Sequence, residues 1–438
     1  MSRLIRGGAV ALPAFLAAGV IAAFSLPAHA ASTWSSPVAL PSGGAGVGKF
    51  AENSAGAQAT VWTTGTQGAS SVVVSTSSSG LTWAAPKTLD PGSNPAVAIA
   101  TNGRVVAAWE GGPATAPVIQ ASVLAPGGTW STPVNVSTDA FGGPAIAMDG
   151  SGDTILAWLG GGGEIRTASL PAGGSWTTVN TLDTQVDGFA VNVAANSAGS
   201  AVITWAEPLR IAMAAAGSIL GGFGTPVLID SGAVEDARQS GRPAQASLDA
   251  YQHSGAGLAP LVNSAYLHGH TDPVVSNSGE VSLDWALTTT IHKVVTRTAA
   301  DTWSAPTALP VPGPGSSQPD LETAIDGAGN VVTVYDQVNS SGVSSVYLTK
   351  LAAGSSIWST PVQLAGSASL AMVAGDTAGT FVVAMEVSVG VSVLTSPPGG
   401  SFGSATTFSG ETATDLVIVP GHATLVLSTG AATTEPVS

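Results

Sequence analysis

The 438-residue chain contains no cysteine and few charged or aromatic side chains. Without cysteine it has no disulfides and no thiol chemistry, and it cannot be anchored as a lipoprotein. Only 9% of its residues are charged, so the chain does not have the composition of a charge-driven disordered protein. Its 27 Asp and Glu outnumber its 12 Lys and Arg, which argues against nucleic acid and anionic membrane surfaces as partners.

Residues 1–30 have the composition of a secretion signal peptide. Arg3 and Arg6 form a positive start, residues 9–23 are mainly apolar, and residues 28–30 form a small-x-small cleavage site. No second long apolar segment follows, so we expect a secreted protein, extracellular or loosely associated with the cell surface, without membrane insertion. Loss of the two signal arginines leaves 10 basic residues against 27 acidic ones, a net charge of −17.

One motif, Gly-Gly-Thr-Trp-Ser-Thr-Pro at 127–133, recurs in altered forms along the whole chain. Its aromatic positions are separated by 49, 47, 46, 47, 80, 55 and 44 residues. A period in the forties with strand-like content predicts an all-β fold of the β-propeller type. The aromatic positions are Trp34, Trp83, Trp130, Trp176, Phe223, Trp303, Trp358 and Phe402.

Each repeat has the pattern of four short strands joined by glycine-rich turns. Second strands such as 105–109 are apolar on both faces, as expected for a strand covered on both sides. We count eight units, and the N-terminal strand 34–40 is placed to complete the last of them, which would close the ring. Residues 31–438 are therefore predicted to form one propeller of eight four-stranded blades, with seven blades as the alternative.

The spacing breaks once, by an insertion at about 231–271. The aromatic positions on either side of it lie 80 residues apart, where about 47 are expected from the repeat. Two of the four tyrosines and three of the five histidines beyond residue 30 fall within it. Long non-repetitive loops inside a compact domain are commonly functional, so we expect this insertion to shape the ligand site.

The turn before Trp83 has the spacing of an Asp-box. Residues 76–83 read Thr-Ser-Ser-Ser-Gly-Leu-Thr-Trp, with Ser78 at the Asp position. The chain therefore resembles the secreted sialidase-like β-propellers of bacteria, with degenerate Asp-box (neuraminidase) repeats. This resemblance implies a structural turn between third and fourth strands, away from the active face. It also implies that the repeated aromatic is a wedge between blades.

The same resemblance implies an arginine cluster for a substrate carboxylate, a Tyr–Glu nucleophile pair and an acid. Arg166 and Arg210 open the third strands of consecutive units, and Glu207 lies close to Arg210 in sequence. The N-terminal arginine motif of the family is absent from this sequence. The candidate ligand-binding residues are Arg166, Arg210, Arg242, Tyr251, Tyr266, His268 and His270, and Tyr266 is also a candidate catalytic residue.

Acidic residues repeatedly follow the second strand, at Glu110, Glu207 and Asp336. They could supply the paired carboxylates of a glycoside hydrolase, or they could be solvated strand ends. The alternating residues of one segment, His268, His270 and Asp272, have the spacing of metal ligands on an extended chain. Loop histidines that are simply exposed to solvent are commoner than histidines that bind a metal. We expect neither a metal nor another cofactor.

These observations predict a monomeric binding scaffold that recognises an extracellular glycan or protein through the face carrying the insertion. A sialidase-like glycoside hydrolase that uses carboxylates on that face is the first alternative. A structural or adhesive protein of the cell envelope is the second.

Overall fold

The structure, a computed structural model, consists of antiparallel sheets. In the residues that it describes, eight sheets form an eight-bladed β-propeller, and these residues include no helix that could cross a membrane. The predicted count of eight blades is confirmed, and the seven-bladed alternative is wrong. The described residues are 34–41, 49–66, 69–184, 189–207, 210–230, 273–288, 291–298, 302–310, 316–419, 421–427 and 431–436.

The first strands form the inner ring. Each contacts the first strands of the two neighbouring blades, and the first strand of blade eight contacts that of blade one. Alanine is frequent in them, and such small side chains suit the region where the blades converge. From blade one to blade eight, these strands are Lys49–Glu52, Ser93–Ile99, Ala145–Met148, Phe189–Ala195, Val274–Val275, Ser316–Ile325, Ala368–Gly375 and Ala413–Val419.

The second strands form the buried middle of each blade. Trp109, Trp158, Trp205 and Tyr335 occupy the same position near the end of this strand, and all four are fully buried. Burial on both faces explains why these strands are apolar without alternation. They are Gln58–Thr66, Val105–Gly111, Thr154–Leu159, Ser200–Glu207, Val281–Thr288, Val331–Val338, Phe381–Val387 and His422–Leu427.

The third strand of each blade pairs with the second. The third strands are Ala69–Ser77, Val118–Leu124, Ile165–Leu170, Arg210–Ser218, Ile291–Arg297, Ser344–Leu351, Gly390–Ser396 and Ala431–Pro436. The fourth strands are short and lie at the rim, and in blade four this strand is in two pieces. They are Lys87–Pro91, Val134–Asn135, Asn180–Asp183, Gly222–Phe223 with Val227–Asp230, Thr307–Ala308, Val362–Gly366, Thr406–Ser409 and, for blade eight, Val38–Ala39.

The N-terminal strand closes the ring, as predicted. Val38 pairs with Ala432 on the third strand of blade eight, so the first and last parts of the fold share one sheet. Trp34 packs edge-on against Phe408 of blade seven, with ring centroids 5.9 Å apart. Closure removes a free sheet edge, which would otherwise be open to pairing with other chains.

The repeated aromatic is a wedge between blades, as the resemblance implied. Trp130 of blade two packs in one cluster with Val105 of its own blade and with Val61 and Val74 of blade one. It precedes the fourth strand instead of beginning it, since it makes an isolated bridge to Leu124 before the strand starts. The fourth strands are therefore shorter than the sequence predicted.

The residue after the aromatic explains why the motif reads Trp-Ser. Ser131 donates its backbone N–H to the Val123 carbonyl at 2.8 Å, and its hydroxyl accepts the Val123 N–H at 3.0 Å. Ser359 binds Lys350 in the same way. One serine thus satisfies both backbone groups at a point where regular pairing has ended.

The Asp-box likeness is not reproduced in the hydrogen bonds of the turn. Ser78, at the Asp position, is exposed. The hydroxyl that accepts the Gly80 N–H, at 2.8 Å, belongs to the buried Ser77. The turn is capped one residue earlier than the motif predicts, so this geometry does not establish membership of the sialidase family.

The junction between blades one and eight contains a largely buried carboxyl group. The Glu52 side chain is hydrogen-bonded to Thr424 and Gln58 and lies near His422. Its Oε2 atom is buried and has no hydrogen-bond partner among the described residues. Burial is the largest influence and raises the pKa of Glu52, although Thr424, Gln58 and His422 each lower it.

We expect Glu52→Gln to stabilise the protein at neutral pH. Because the folded-state pKa lies above the unfolded value, the stability contributed by this group is complete below the unfolded pKa and is lost as pH rises through the folded pKa. Glutamine imitates the protonated form, so the variant should gain on the order of 1 kcal/mol at pH 7 to 8. Thermal unfolding across pH 4 to 8 should show this gain shrinking towards acid.

Glu386→Gln is the matched control, because Glu386 is a partly exposed carboxyl at the end of a second strand. It should change the unfolding temperature little at any pH. An equal gain in both variants, or a Glu52→Gln gain that does not depend on pH, would contradict the assignment.

Candidate functional site

The propeller has two faces of different construction. In an antiparallel blade, the hairpins joining strands one to two and three to four lie on one side, which we call the turn face. The hairpins joining strands two to three, and the connections from one blade to the next, lie on the other side, the connection face. The predicted insertion at 231–271 lies outside the described residues. The strands on either side of it are the fourth strand of blade four, ending at Asp230, and the first strand of blade five, beginning at Val274, and both of these residues lie at the connection face.

On the turn face, polar side chains are used to hold turns and blades together. Asp149 accepts backbone N–H groups of its own turn through one carboxylate oxygen, including that of Asp153 at 2.9 Å. Asn53 donates to the Ala100 carbonyl of the next blade at 2.7 Å, and Asn196 donates to the Ser276 carbonyl at 2.8 Å. The described part of the chain contains no group of three or more acidic or histidine side chains that could hold a metal ion.

The connection face carries the irregularities of the sheets. Every register shift in the described strand pairs lies at this end of its blade. In blade two, for example, the shift lies between Ser93 and Ala96, at the start of the first strand. β-Bulges redirect side chains and are over-represented at barrel rims and beside active sites. Their position marks the connection face as the candidate functional surface.

Blade two presents a hydrogen-bonded series of polar groups at this end. The Asn94 amide donates to Glu110 Oε2 at 2.9 Å. The buried Trp109 indole donates to Gln120 Oε1 at 3.0 Å, and the Gln120 amide donates to Asn135 Oδ1 at 3.0 Å. Glu110, a predicted candidate, is thus on the connection face and is partnered by an amide.

Blade three presents a charged group around Arg166, which we call the blade-three cluster: Asp139, Glu164 and Arg166. The guanidinium donates to Asp139 Oδ1 at 2.6 Å, and Glu164 Oε1 lies 3.5 Å from it. Backbone N–H groups, that of Glu164 first and that of Gly162 after it, lower the pKa of Glu164, and Arg166 adds to this effect. The two carboxylates are therefore partners of a single cation.

Asp139 and Glu164 were not predicted from the sequence. Asp139 lies in the connection between blades two and three, which does not repeat, and it is 27 residues from Arg166. The available signal was the acidic residue beside the four-glycine hairpin 160–163, because glycine there allows other groups to approach the backbone closely.

The remaining candidates lie away from these two blades, beneath the surface, or outside the described residues. Asp336 is only 1% exposed and so lies beneath the surface. Glu207 and Arg210 face each other in the ladder of blade four, but their side chains are not described. The following predicted residues lie outside the described residues: Arg242, Tyr251, Tyr266, His268, His270 and Asp272.

The ring separates the three predicted carboxylates. Glu110, Glu207 and Asp336 belong to the second strands of blades two, four and six. Packed sheets lie about 10 Å apart, so carboxylates two blades apart are separated by on the order of 20 Å. Glycosidase pairs need separations of about 5 to 9.5 Å, so ring geometry does not favour a catalytic pair among these three.

Comparison with known proteins gives a likeness in fold alone. No protein-family model and no curated protein matches this chain. The BP39L lectin from Burkholderia pseudomallei is similar with a TM-score of 0.51 and 14% identity, over 83% of this chain and 99% of that chain. Saccharomyces cerevisiae Sqt1 has a TM-score of 0.49 and 11% identity, over 90% and 96% of the two chains. Polysaccharide lyase Uly1 has a TM-score of 0.46 and 10% identity, over 88% and 90%.

Proposed function

We propose that the protein is a secreted binding protein that recognises an extracellular glycan through its connection face. The observation that carries this proposal is the division between the two faces. Polar groups of the turn face are engaged in turns and blade-to-blade contacts. The register shifts and the partly exposed polar groups of blades two and three lie at the other end.

The chemistry of this surface favours a glycan over other partners. Amides and carboxylates such as Asn94, Glu110 and Asn135 offer both donors and acceptors, which a polyhydroxylated ligand can match. The net charge of −15 disfavours polyanions, so we propose a neutral glycan. The similarity in fold to a lectin is compatible with this role, but the proposal does not rest on it.

The glycan ligand should be detectable on a glycan array probed with residues 31–438. We expect binding to neutral glycans and loss of that binding when residues 235–270 are deleted, because Asp230 and Val274, the strand ends on either side of the insertion, lie on the connection face. Thermal unfolding of the deletion variant should remain cooperative, since all eight blades are outside the deleted segment.

Ser78→Ala is the control, because Ser78 is exposed on the turn face. It should bind as the unmodified chain does. Absence of any glycan binding would overturn the proposal in favour of a protein partner or a structural envelope role. Turnover of glycoside substrates would instead support the hydrolase alternative. Unchanged binding by the deletion variant would show that the insertion is not part of the binding site.

A further inference from the structure

Blade three contains two buried hydrogen-bond donors that lack an acceptor. Trp158 and Arg166 lie opposite each other on the second and third strands, so their side chains project from the same side of the sheet. Trp158 has no exposed surface, and its indole N–H has no partner among the described residues. The Nε atom of Arg166 is likewise buried and without a partner there.

In blade two, the equivalent tryptophan indole N–H does have an acceptor. Trp109 and Gln120 occupy the same pair of ladder positions, and the indole donates to the glutamine oxygen at 3.0 Å. In blade three an arginine stands where the glutamine would be, so an acceptor is replaced by a further donor. A buried donor left unsatisfied destabilises the fold, so a ligand oxygen that reached it would gain a hydrogen bond.

The blade-three cluster is reachable from solvent. The side chains of Arg166, Asp139 and Glu164 are 22%, 39% and 27% exposed. The adjoining hairpin consists of glycines, and a Cβ atom at Gly160 would lie 2.6 Å from both Arg166 Nε and Glu164 Oε2. Glycine at position 160 therefore lets the Arg166 and Glu164 side chains lie directly against the hairpin backbone, in space that any other side chain at 160 would need.

The charges of this cluster select the class of ligand. One guanidinium already lies between two carboxylates, so the cluster carries a net negative charge and repels a ligand carboxylate or sulfate. A hydroxyl group both donates and accepts. Two adjacent hydroxyls could donate to Asp139 and Glu164. To accept from Arg166 Nε and the Trp158 indole as well, they require the Arg166 side chain to shift, because both donor atoms are buried.

We propose, on the basis of the proposed function, that the blade-three cluster is a subsite for a neutral sugar unit with two adjacent hydroxyl groups. This differs from the role predicted from the sequence, in which Arg166 binds a substrate carboxylate. The two carboxylates of the protein already occupy the position that such an anion would take.

Nuclear magnetic resonance tests this subsite directly. In the ¹⁵N-labelled chain 31–438, titration with neutral hexoses should shift the Nε–H signal of Arg166 and the indole N–H signal of Trp158. Glucuronate, the anionic counterpart, should shift them at concentrations about ten-fold higher or not at all. Arg104 is the internal control, because its guanidinium donates to the Gly152 carbonyl on the turn face, so its signal should stay unmoved.

Variants separate this inference from the proposed function. Asp139→Asn and Glu164→Gln should each weaken hexose binding by about ten-fold, as expected for loss of a hydrogen bond to a charged group. Array binding with unmoved Arg166 and Trp158 signals would overturn the subsite while leaving the proposed function intact. Preference for glucuronate would also overturn it. An array without any glycan signal would overturn both.

Discussion

Deletion of residues 31–41 should lower the free energy of unfolding of the chain 31–438 by about 5 kcal/mol or more, from typical truncation costs of Trp and Leu side chains. The deleted segment supplies the fourth strand of blade eight, the Trp34 contact with Phe408 and the buried Leu40. It also leaves one edge of the strand Ala431–Pro436 open, and an open edge promotes association between chains. Urea unfolding measures the first effect, and size-exclusion chromatography measures the second.

A point variant in the same segment provides the control. Ser36 is exposed, so Ser36→Ala should unfold within about 0.5 kcal/mol of the unmodified chain. A truncated chain that unfolds at the same urea concentration as the full one, and that remains monomeric, would show that the N-terminal strand does not close the ring.

Trp130→Ala should destabilise the protein by about 3 kcal/mol, the lower end of the range for tryptophan truncation. The lower end applies because the ring is only partly buried. The cost arises because Trp130 fills the space between blades one and two, against Val61 and Val105. Urea unfolding of the variant measures the change in free energy.

Ile357→Ala is the matched control, since Ile357 precedes the equivalent Trp358 of blade six but is 79% exposed. Its effect should stay within about 0.5 kcal/mol. Trp130→Phe should recover part of the loss, because a smaller ring still contacts both blades. Equal stability of Trp130→Ala and the unmodified chain would refute the wedge role.

The architecture was predictable because each of the eight blades of a propeller packs against its neighbours in the same way. The same apolar second strand and the same aromatic wedge recur wherever a blade meets its neighbour, so the period appears in the sequence. The closing strand could be predicted for a related reason. The series of repeats starts with a fourth strand at 34–40, and its last unit lacks one.

The candidate site was much less predictable, because its parts do not repeat. Register shifts depend on how strand ends meet the next blade, and no single residue marks them. Asp139 and Arg166 are joined only in space, since a blade-to-blade connection carries one and a third strand the other. The sequence identified Arg166 by its charge alone, whereas the structure adds the two carboxylates that change which ligand it would favour.

Hydrogen exchange of the chain 31–438, with and without the glycan found on the array, tests the central claim most directly. Bound glycan should slow exchange at the hairpins joining second and third strands and at the blade-to-blade connections. The hairpin 160–163 lies beside the blade-three cluster and should be among the protected segments. Exchange in the turns that begin at Asn53, Asp149 and Asn196 should not change. Protection confined to those turns would contradict recognition by the connection face.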